Sequence, residues 1–266
     1  MIDLLNGDCL KLMKNISDKS IDMILCDLPY GTTHCEWDVR IPFELLWEQY
    51  NRVIKDNGAI VLFSSQPFTT DLINSQRKIF RYEIIYEKTQ FTGFYNAKKM
   101  PLKAHENICV FYKKIPTYNP QKTICPNAKI GHKRHNSDYK KTSGKAFGHV
   151  SVEKAETWEY VDDGTRYPTD IIKFSNWNGA LFGNTKNAVK HPTTKPISLL
   201  EYLIKTYTNN GDIVLDNCMG SGSTGVACIN TGRSFIGMEL EKNFFDIAVE
   251  RISETEKQVK NDKENF

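Results

Sequence analysis

The 266-residue chain has no unbroken apolar run of roughly 18 residues, so nothing in it has the length to cross a bilayer as a helix. Its start, Met1-Ile2-Asp3-Leu4-Leu5-Asn6-Gly7, lacks the basic region and long apolar stretch of a secretory signal. Seven cysteines are present (Cys9, Cys26, Cys35, Cys109, Cys125, Cys218 and Cys228), and no two form a C-x-x-C pair. An odd, scattered set supports neither a zinc site nor a disulfide framework, and no metal is expected. Reduced, mostly buried thiols in a cytoplasmic protein fit better. Net charge is nearly absent too, at +3. Acids are locally scarce, however: Lys113 to Val150 holds nine Lys or Arg and only Asp138 on the other side. Residues 151–170 reverse this, with six acids and two bases. A basic segment in a near-neutral chain is the footprint of a polyanion contact or of a solvated loop.

The first third alternates between short apolar strands and amphipathic helices. Ile21–Cys26, Ala59–Phe63, Tyr82–Tyr86 and Asn107–Tyr112 read as strands, and Ile41–Ile54 and Phe68–Ser75 as helices. The rhythm returns at Pro196. Ile197–Tyr207, Ser223–Asn230 and Asn243–Ser253 read as helices around strands Ile213–Leu215 and Ser234–Met238, with a frayed tail after Glu254. This predicts an α/β fold, a mainly parallel Rossmann-like sheet with helices on both faces. Residues 115–190 lose the rhythm and are rich in Lys, Asn, Thr, Gly and Pro. A structureless loop of that length is uncommon, so an inserted subdomain is expected there. The main domain is then assembled from 1–114 and 191–266.

Two strand ends carry candidate chemistry. Ile213-Val214-Leu215-Asp216 runs into a glycine-rich turn with Gly220, Ser221, Gly222 and Gly225, then a helix; Glu239 follows at the end of the next strand. Glycines allow close backbone approach, a helix N-terminus offers free N–H groups, and the later acid can hold ribose hydroxyls. The G-x-G-x-x-G spacing also fits a dinucleotide site or a plain tight turn. The glycines begin four residues past Asp216, however, and one further strand follows, so the missing strands must come from the N-terminal third: a circularly permuted order. The second strand end is Asp27-Leu28-Pro29-Tyr30. An exocyclic base amine is a poor nucleophile because its lone pair is delocalised into the ring. Asp27 and the Leu28 carbonyl can accept its two hydrogens, Pro29 can stiffen the turn, and Tyr30 can stack on the base. An ordinary turn with a capping Asp is the bland alternative for this string alone.

In combination these motifs resemble the permuted (beta-group) DNA amino-methyltransferases, of adenine-N6 or cytosine-N4 type. The likeness is carried by Asp27–Tyr30, the 115–190 insert, His191-Pro192-Thr193-Thr194-Lys195-Pro196, and Asp216–Gly222. Asn6-Gly7-Asp8-Cys9, Gly237-Met238-Glu239-Leu240 and Ala104-His105-Glu106-Asn107 resemble further recurrent segments of that group. The resemblance implies S-adenosyl-L-methionine as cofactor, held by Asp8, Cys9, Asp27, Lys195, Asp216, Gly220, Ser221, Gly222 and Glu239, with Lys195 at the methionine end. It implies a site-specific adenine-N6 methyltransferase acting on a flipped-out base in double-stranded DNA. Lys129, Lys133, Arg134, Lys140, Lys141 and Lys145 of the insert would meet phosphates. Asp rather than Ser at the first tetrapeptide position favours adenine. Cytosine-N4 methylation, an RNA or protein-glutamine substrate, and an inactive DNA-binding homologue are the competing readings. A homodimer and a restriction endonuclease partner are compatible with the group. Leu28 stands where proline is more usual, and Asn217-Cys218-Met219 replaces a commoner P-F-x run.

Overall fold

The computed structural model describes residues 1–31, 38–135, 159–176 and 194–264. Two compact units emerge: Met1–Asn119 with Thr169–Phe266, and Pro120–Pro168. The first unit enters through β1 (Ile2–Asn6), α1 (Cys9–Leu12), β2 (Ile21–Asp27), α2 (Phe43–Val53), β3 (Ile54–Ser64), α3 (Phe68–Ser75), β4 (Phe80–Thr92) and β5 (Lys103–Phe111). The second unit holds β6 (Thr123–Ile124), β7 (Lys133–His135), β8 (Glu159–Val161) and β9 (Thr165–Arg166). The chain then re-enters the first unit as β10 (Ile171–Phe174), α4 (Ile197–Tyr207), β11 (Ile213–Asp216), α5 (Ser223–Asn230), β12 (Ser234–Glu239) and α6 (Lys242–Glu264).

The eight strands of the first unit lie in the order β1-β12-β11-β2-β3-β5-β4-β10. All neighbours pair in parallel except at β5, which is antiparallel to both β3 and β4. The expected α/β class and mainly parallel sheet are thus present. The central strands β2, β3 and β11 are apolar on both faces, as a sheet covered twice requires. Met23 and Leu25 of β2, Ala59, Val61 and Phe63 of β3, and Phe235 of β12 enter one core with α4, α5 and α6. Their alternate neighbours Ile24, Cys26, Ile60, Leu62 and Ile236 enter the other, with α1, α2 and α3. Period-two alternation thereby sorts one continuous apolar run into two layers.

The structure departs from the sequence expectations in three places. Ile171–Phe174, expected within the insert, pairs with Ile85–Lys88 and extends the main sheet, so the second unit spans Pro120–Pro168 rather than 115–190. The polar tail does not fray at Glu254. Helix α6 runs to Glu264, because Ala248 and Ile252 anchor it in the core and the following Glu, Lys and Gln residues favour helix. Helix α2 ends at Val53, before the Asn57-Gly58 stop, since Ile54 already pairs with Ile21.

The second unit is built from two antiparallel pairs, β6 with β9 and β7 with β8. Its turn is organised by Asp162, whose carboxylate accepts from both Arg166 guanidinium nitrogens at 2.8 and 3.0 Å and from the Gly164 N–H at 3.0 Å. Lys129 and Lys133 are exposed on it.

Gly222 shows how α5 meets α6. It has φ +79° at the N-terminus of α5, and a Cβ there would sit 2.9 Å from Ala248 Cβ and 3.1 Å from Ala248 Cα. Both the left-handed backbone and the contact with α6 demand glycine. Gly222→Ala is therefore expected to destabilise the fold by about 2 kcal/mol or more in urea denaturation, from strain plus overpacking. An unchanged midpoint would refute this packing role.

Candidate active site

β11 and β2 are neighbours, with Val214 opposite Met23 and Leu215 opposite Ile24. From β11 the chain moves through α5 to β12, which β1 flanks, on one side; from β2 it moves through α2 to β3 on the other. The order reverses between them, and such a switch point opens a crevice at the C-terminal strand ends. A cavity of about 820 Å³ lies there. It is lined by all four residues Asp27–Tyr30, and by Asp8, Cys9, Lys195, Asp216, Gly220, Ser221 and Glu239. Of the residues expected around a cofactor, only Gly222 is absent from the lining; its job is the α5–α6 contact above.

Strand register brings the distant segments together. Asn6 is opposite Glu239, its side-chain amide donates to the Glu239 carbonyl at 2.8 Å, and the Gly7 N–H donates to the same carbonyl at 2.9 Å. Asp8 follows and caps α1, accepting from the Leu10 N–H at 2.9 Å. Each Glu239 oxygen takes one backbone N–H, from Gly220 at 2.8 Å and from Glu241 at 2.9 Å. Lone pairs remain on both oxygens for further donors. Burial raises the Glu239 pKa, and the backbone N–H donors oppose that rise.

Asp216 is deeper. Its carboxylate accepts from Thr224 Oγ1 at 2.6 Å and from the Cys218 N–H at 3.1 Å, so it ties the glycine turn to the first turn of α5. Burial pushes its pKa up to about 6, against the pull of those donors. Asn217 is held by the Tyr50 hydroxyl. Ser221 accepts from Arg251 of α6, at 2.9 Å on its hydroxyl, and lies 3.4 Å from the Thr194 hydroxyl.

Asp27 sits at the end of β2, opposite Phe63. One oxygen accepts from the Tyr30 hydroxyl at 2.7 Å and the other from the Lys195 ammonium. The Tyr30 ring stacks on Phe68 at 4.9 Å between centroids, 25° from parallel. Arg40 donates to the Tyr30 carbonyl at 2.6 Å and lies over the same Phe68 ring. Leu28, in place of the more usual proline, is 4% exposed and packs in the core with Cys26 and Leu46.

Lys195 lines the cavity, and its ammonium lies between Asp27 and Glu106, 3.3 Å from Glu106 Oε2, and above the Phe63 ring at 5.0 Å. Burial by itself would lower its pKa; Asp27 and Glu106 outweigh that and raise it. Glu106 is shared with Lys88, whose ammonium reaches Oε1 at 3.0 Å. Burial works to raise the Glu106 pKa, but Lys195 and Lys88 bring it down to about 2. Glu106 was visible in the Ala104–Asn107 segment, where it reads most simply as structural. Lys88 went unnoticed, although Ile84, Tyr86 and Lys88 alternate on the buried side of β4, so an apolar face ends in a lysine.

Among the DNA-binding candidates, Lys129 and Lys133 belong to the second unit. The Arg134 side chain, and Lys140, Lys141, Lys145 and His191, lie outside the described residues.

The cavity suits a cationic ligand with hydroxyls. Seven carboxylate residues line it against four Lys or Arg, and Glu239 keeps acceptor capacity beside a backbone N–H turn. Comparison with known proteins agrees. The DNA methylase family matches residues 21–250. The chain is 28% identical to the DNA adenine methyltransferase YhdJ of Escherichia coli (strain K12), over 94% of this chain and 82% of that protein. It is 27% identical to the type II methyltransferase M.HpaI of Haemophilus parainfluenzae, over 94% and 73%. In fold it is similar to the M1.HpyAVI–SAM complex, with a TM-score of 0.59, 23% identity, and 94% and 100% of the two chains covered. The cytosine-N4-specific PvuII DNA methyltransferase gives a TM-score of 0.61 at 14% identity, covering 98% and 93%.

Because the Glu106 pKa is depressed from the ordinary 4.5 to about 2, its ion pairs stabilise the fold above the unfolded value. That contribution, about 3 kcal/mol at most, is lost as pH falls from roughly 5 toward 2. Circular dichroism of acid unfolding should show a shallower pH dependence in Glu106→Gln than in the parent, and an identical slope would sink this assignment.

Proposed function

We propose a function from one premise, that this chain belongs to the DNA methylase family and acts on DNA with S-adenosylmethionine: it is a site-specific adenine-N6 methyltransferase. The observation that carries the reading is Asp27, placed in the same switch-point cavity as the Gly220 turn and Glu239. S-adenosylmethionine supplies, when bound, an electrophilic methyl group on a sulfonium. Glu239 would accept from the ribose hydroxyls, Asp8 and Cys9 would face the adenine, and the N–H groups near Gly220 and Ser221 would face the methionine end. Asp216 acts behind this surface, holding the turn against α5.

For the target base, the Asp27 carboxylate and the Leu28 carbonyl accept the two amine hydrogens. That returns the lone pair to nitrogen and aims it. Positioning and preorganised charge then supply most of the rate. Tyr30 already has one ring face on Phe68, and the other would take the base. Such a site cannot reach a base inside a duplex, so the base is flipped out. Adenine is favoured by the acid at position 27 and by the adenine activity named for the Escherichia coli relative. The Pro120–Pro168 unit, with Lys129 and Lys133, would carry target recognition.

Asp27→Ala should lower methyl transfer to duplex DNA about 100-fold or more. Mass spectrometry of nucleosides from DNA modified by the parent should give N6-methyladenine. N4-methylcytosine would instead assign the cytosine reaction, and full activity of Asp27→Ala would remove the mechanism. Replacing Lys129 and Lys133 together by Ala should lower the slope of log affinity against log salt by about 2, if both meet phosphates. An unchanged slope would take the two lysines out of the DNA interface.

A further inference from the structure

We propose that Glu106 is a positioning residue for methyl transfer, receiving the Lys195 ammonium when Asp27 turns its carboxylate to the target amine. The proposal rests on the reading of Asp27 just given. Four charged side chains form a row from β4 across to β2: Lys88, Glu106, Lys195 and Asp27. Two ammoniums and two carboxylates alternate, so the row is neutral as a whole. Its hydrogen bonds are nevertheless incomplete. Lys88 satisfies Glu106 Oε1, and Lys195 donates to Asp27, while Glu106 Oε2 is buried and has no hydrogen bond among the described residues. Lys195 is 3.3 Å from that oxygen, an ion-pair contact that can tighten into a hydrogen bond when the ammonium moves. A buried acceptor short of a hydrogen bond is rare in a native site, and this one faces the one ammonium that has to move.

The need for movement follows from the chemistry. An ammonium on Asp27 Oδ2 drains the carboxylate of the charge that would polarise a neutral amine, and crowds the oxygen that the amine would approach. Expelling a lone lysine from a buried carboxylate would leave two unpaired charges. With Glu106 adjacent, Lys195 shifts its donation to Oε2 and stays paired throughout. Lys88 secures the other oxygen, so Glu106 remains ionised and in place.

Other groups face this row. Tyr30 lies beside Asp27, Tyr86 and Lys88 come from β4, Lys103 and Glu106 come from β5, and the Phe63 ring of β3 is neutral. Burial raises both tyrosines, and burial with Lys88 lowers Lys103. Glu106 works to raise Lys103, so Lys103 also loses a favourable neighbour in a variant without that carboxylate.

The test is single-turnover methyl transfer from tritiated S-adenosylmethionine to unmethylated duplex DNA, with enzyme in excess. Glu106→Gln removes the receiving carboxylate, so Lys195 stays clamped on Asp27 while Lys88 loses its partner. The variant should transfer about tenfold more slowly than the parent, with the cofactor Kd within about threefold. Removing the clamp as well, in Glu106→Gln combined with Lys195→Met, should restore most of the rate, whereas a merely structural role for Glu106 would give a further loss. Glu106→Asp keeps the charge but withdraws it, so a rate slower than the parent is expected. A folded Glu106→Gln protein with the parent rate overturns the proposal. So does a double variant no faster than Glu106→Gln alone. If Glu106→Gln does not fold, a Glu106→Asp rate equal to that of the parent overturns it. A parent that transfers no methyl group to DNA would remove the underlying reading instead.

Discussion

The molecule depends on the parallel seam between β2 and β11, where Met23 and Ile24 meet Val214 and Leu215. Nearly 200 residues of chain separate the partners, yet this pairing joins the half bearing Asp27 to the half bearing Asp216. Without it there is one sheet fragment with a tetrapeptide and another with a glycine turn, and no crevice between them. The seam is buried by both cores at once: Met23 and Val214 face the α4–α6 layer, Ile24 and Leu215 the α1–α3 layer. The divided active site is thus stabilised by a fully buried part of the fold.

Two carboxylates end the two strands of that seam, and their surroundings give them opposite tasks. Asp216 is enclosed, takes a hydroxyl and a backbone N–H, and is pushed up to about 6 by burial. It organises the turn from behind. Asp27 meets a phenol and an ammonium and opens into the cavity. Environments that separate two acids in this way are a common means of dividing structural from chemical work in one site. The same logic extends to Glu106, whose two lysines hold it ionised although it is buried.

What could be read in the sequence was whatever depends on local pattern. Short, continuous apolar runs gave β2, β3 and β12; the strand, glycine turn and helix around Asp216 gave one side of the cavity; and the order of the motifs implied that the remaining strands come from the N-terminal third. Charge pairing across strands was not legible. Lys88, Glu106 and Lys195 come from three segments; the sheet register brings the first two together, and the stretch before α4 delivers the third. Gly222 is a glycine in a binding-motif spacing for which the structure supplies a second demand, the close approach of α6. Strand β10 was hidden because four residues with no strong alternation, set within a polar stretch, acquire their meaning only by pairing with β4.

Leu28 bears on how the tetrapeptide keeps its shape with one proline fewer than is usual. A second proline would limit the backbone by fixing φ. Leu28 limits it by burial: its side chain is enclosed in the core beneath the site, alongside Cys26 of β2 and Leu46 of α2. The other end of the turn is pinned from above, with Arg40 on the Tyr30 carbonyl and Phe68 against the Tyr30 ring. A side chain anchored inward leaves the backbone between Asp27 and Pro29 little freedom to rotate. Packing thereby does the work that ring closure would do, and the departure at position 28 is compatible with a fully formed site.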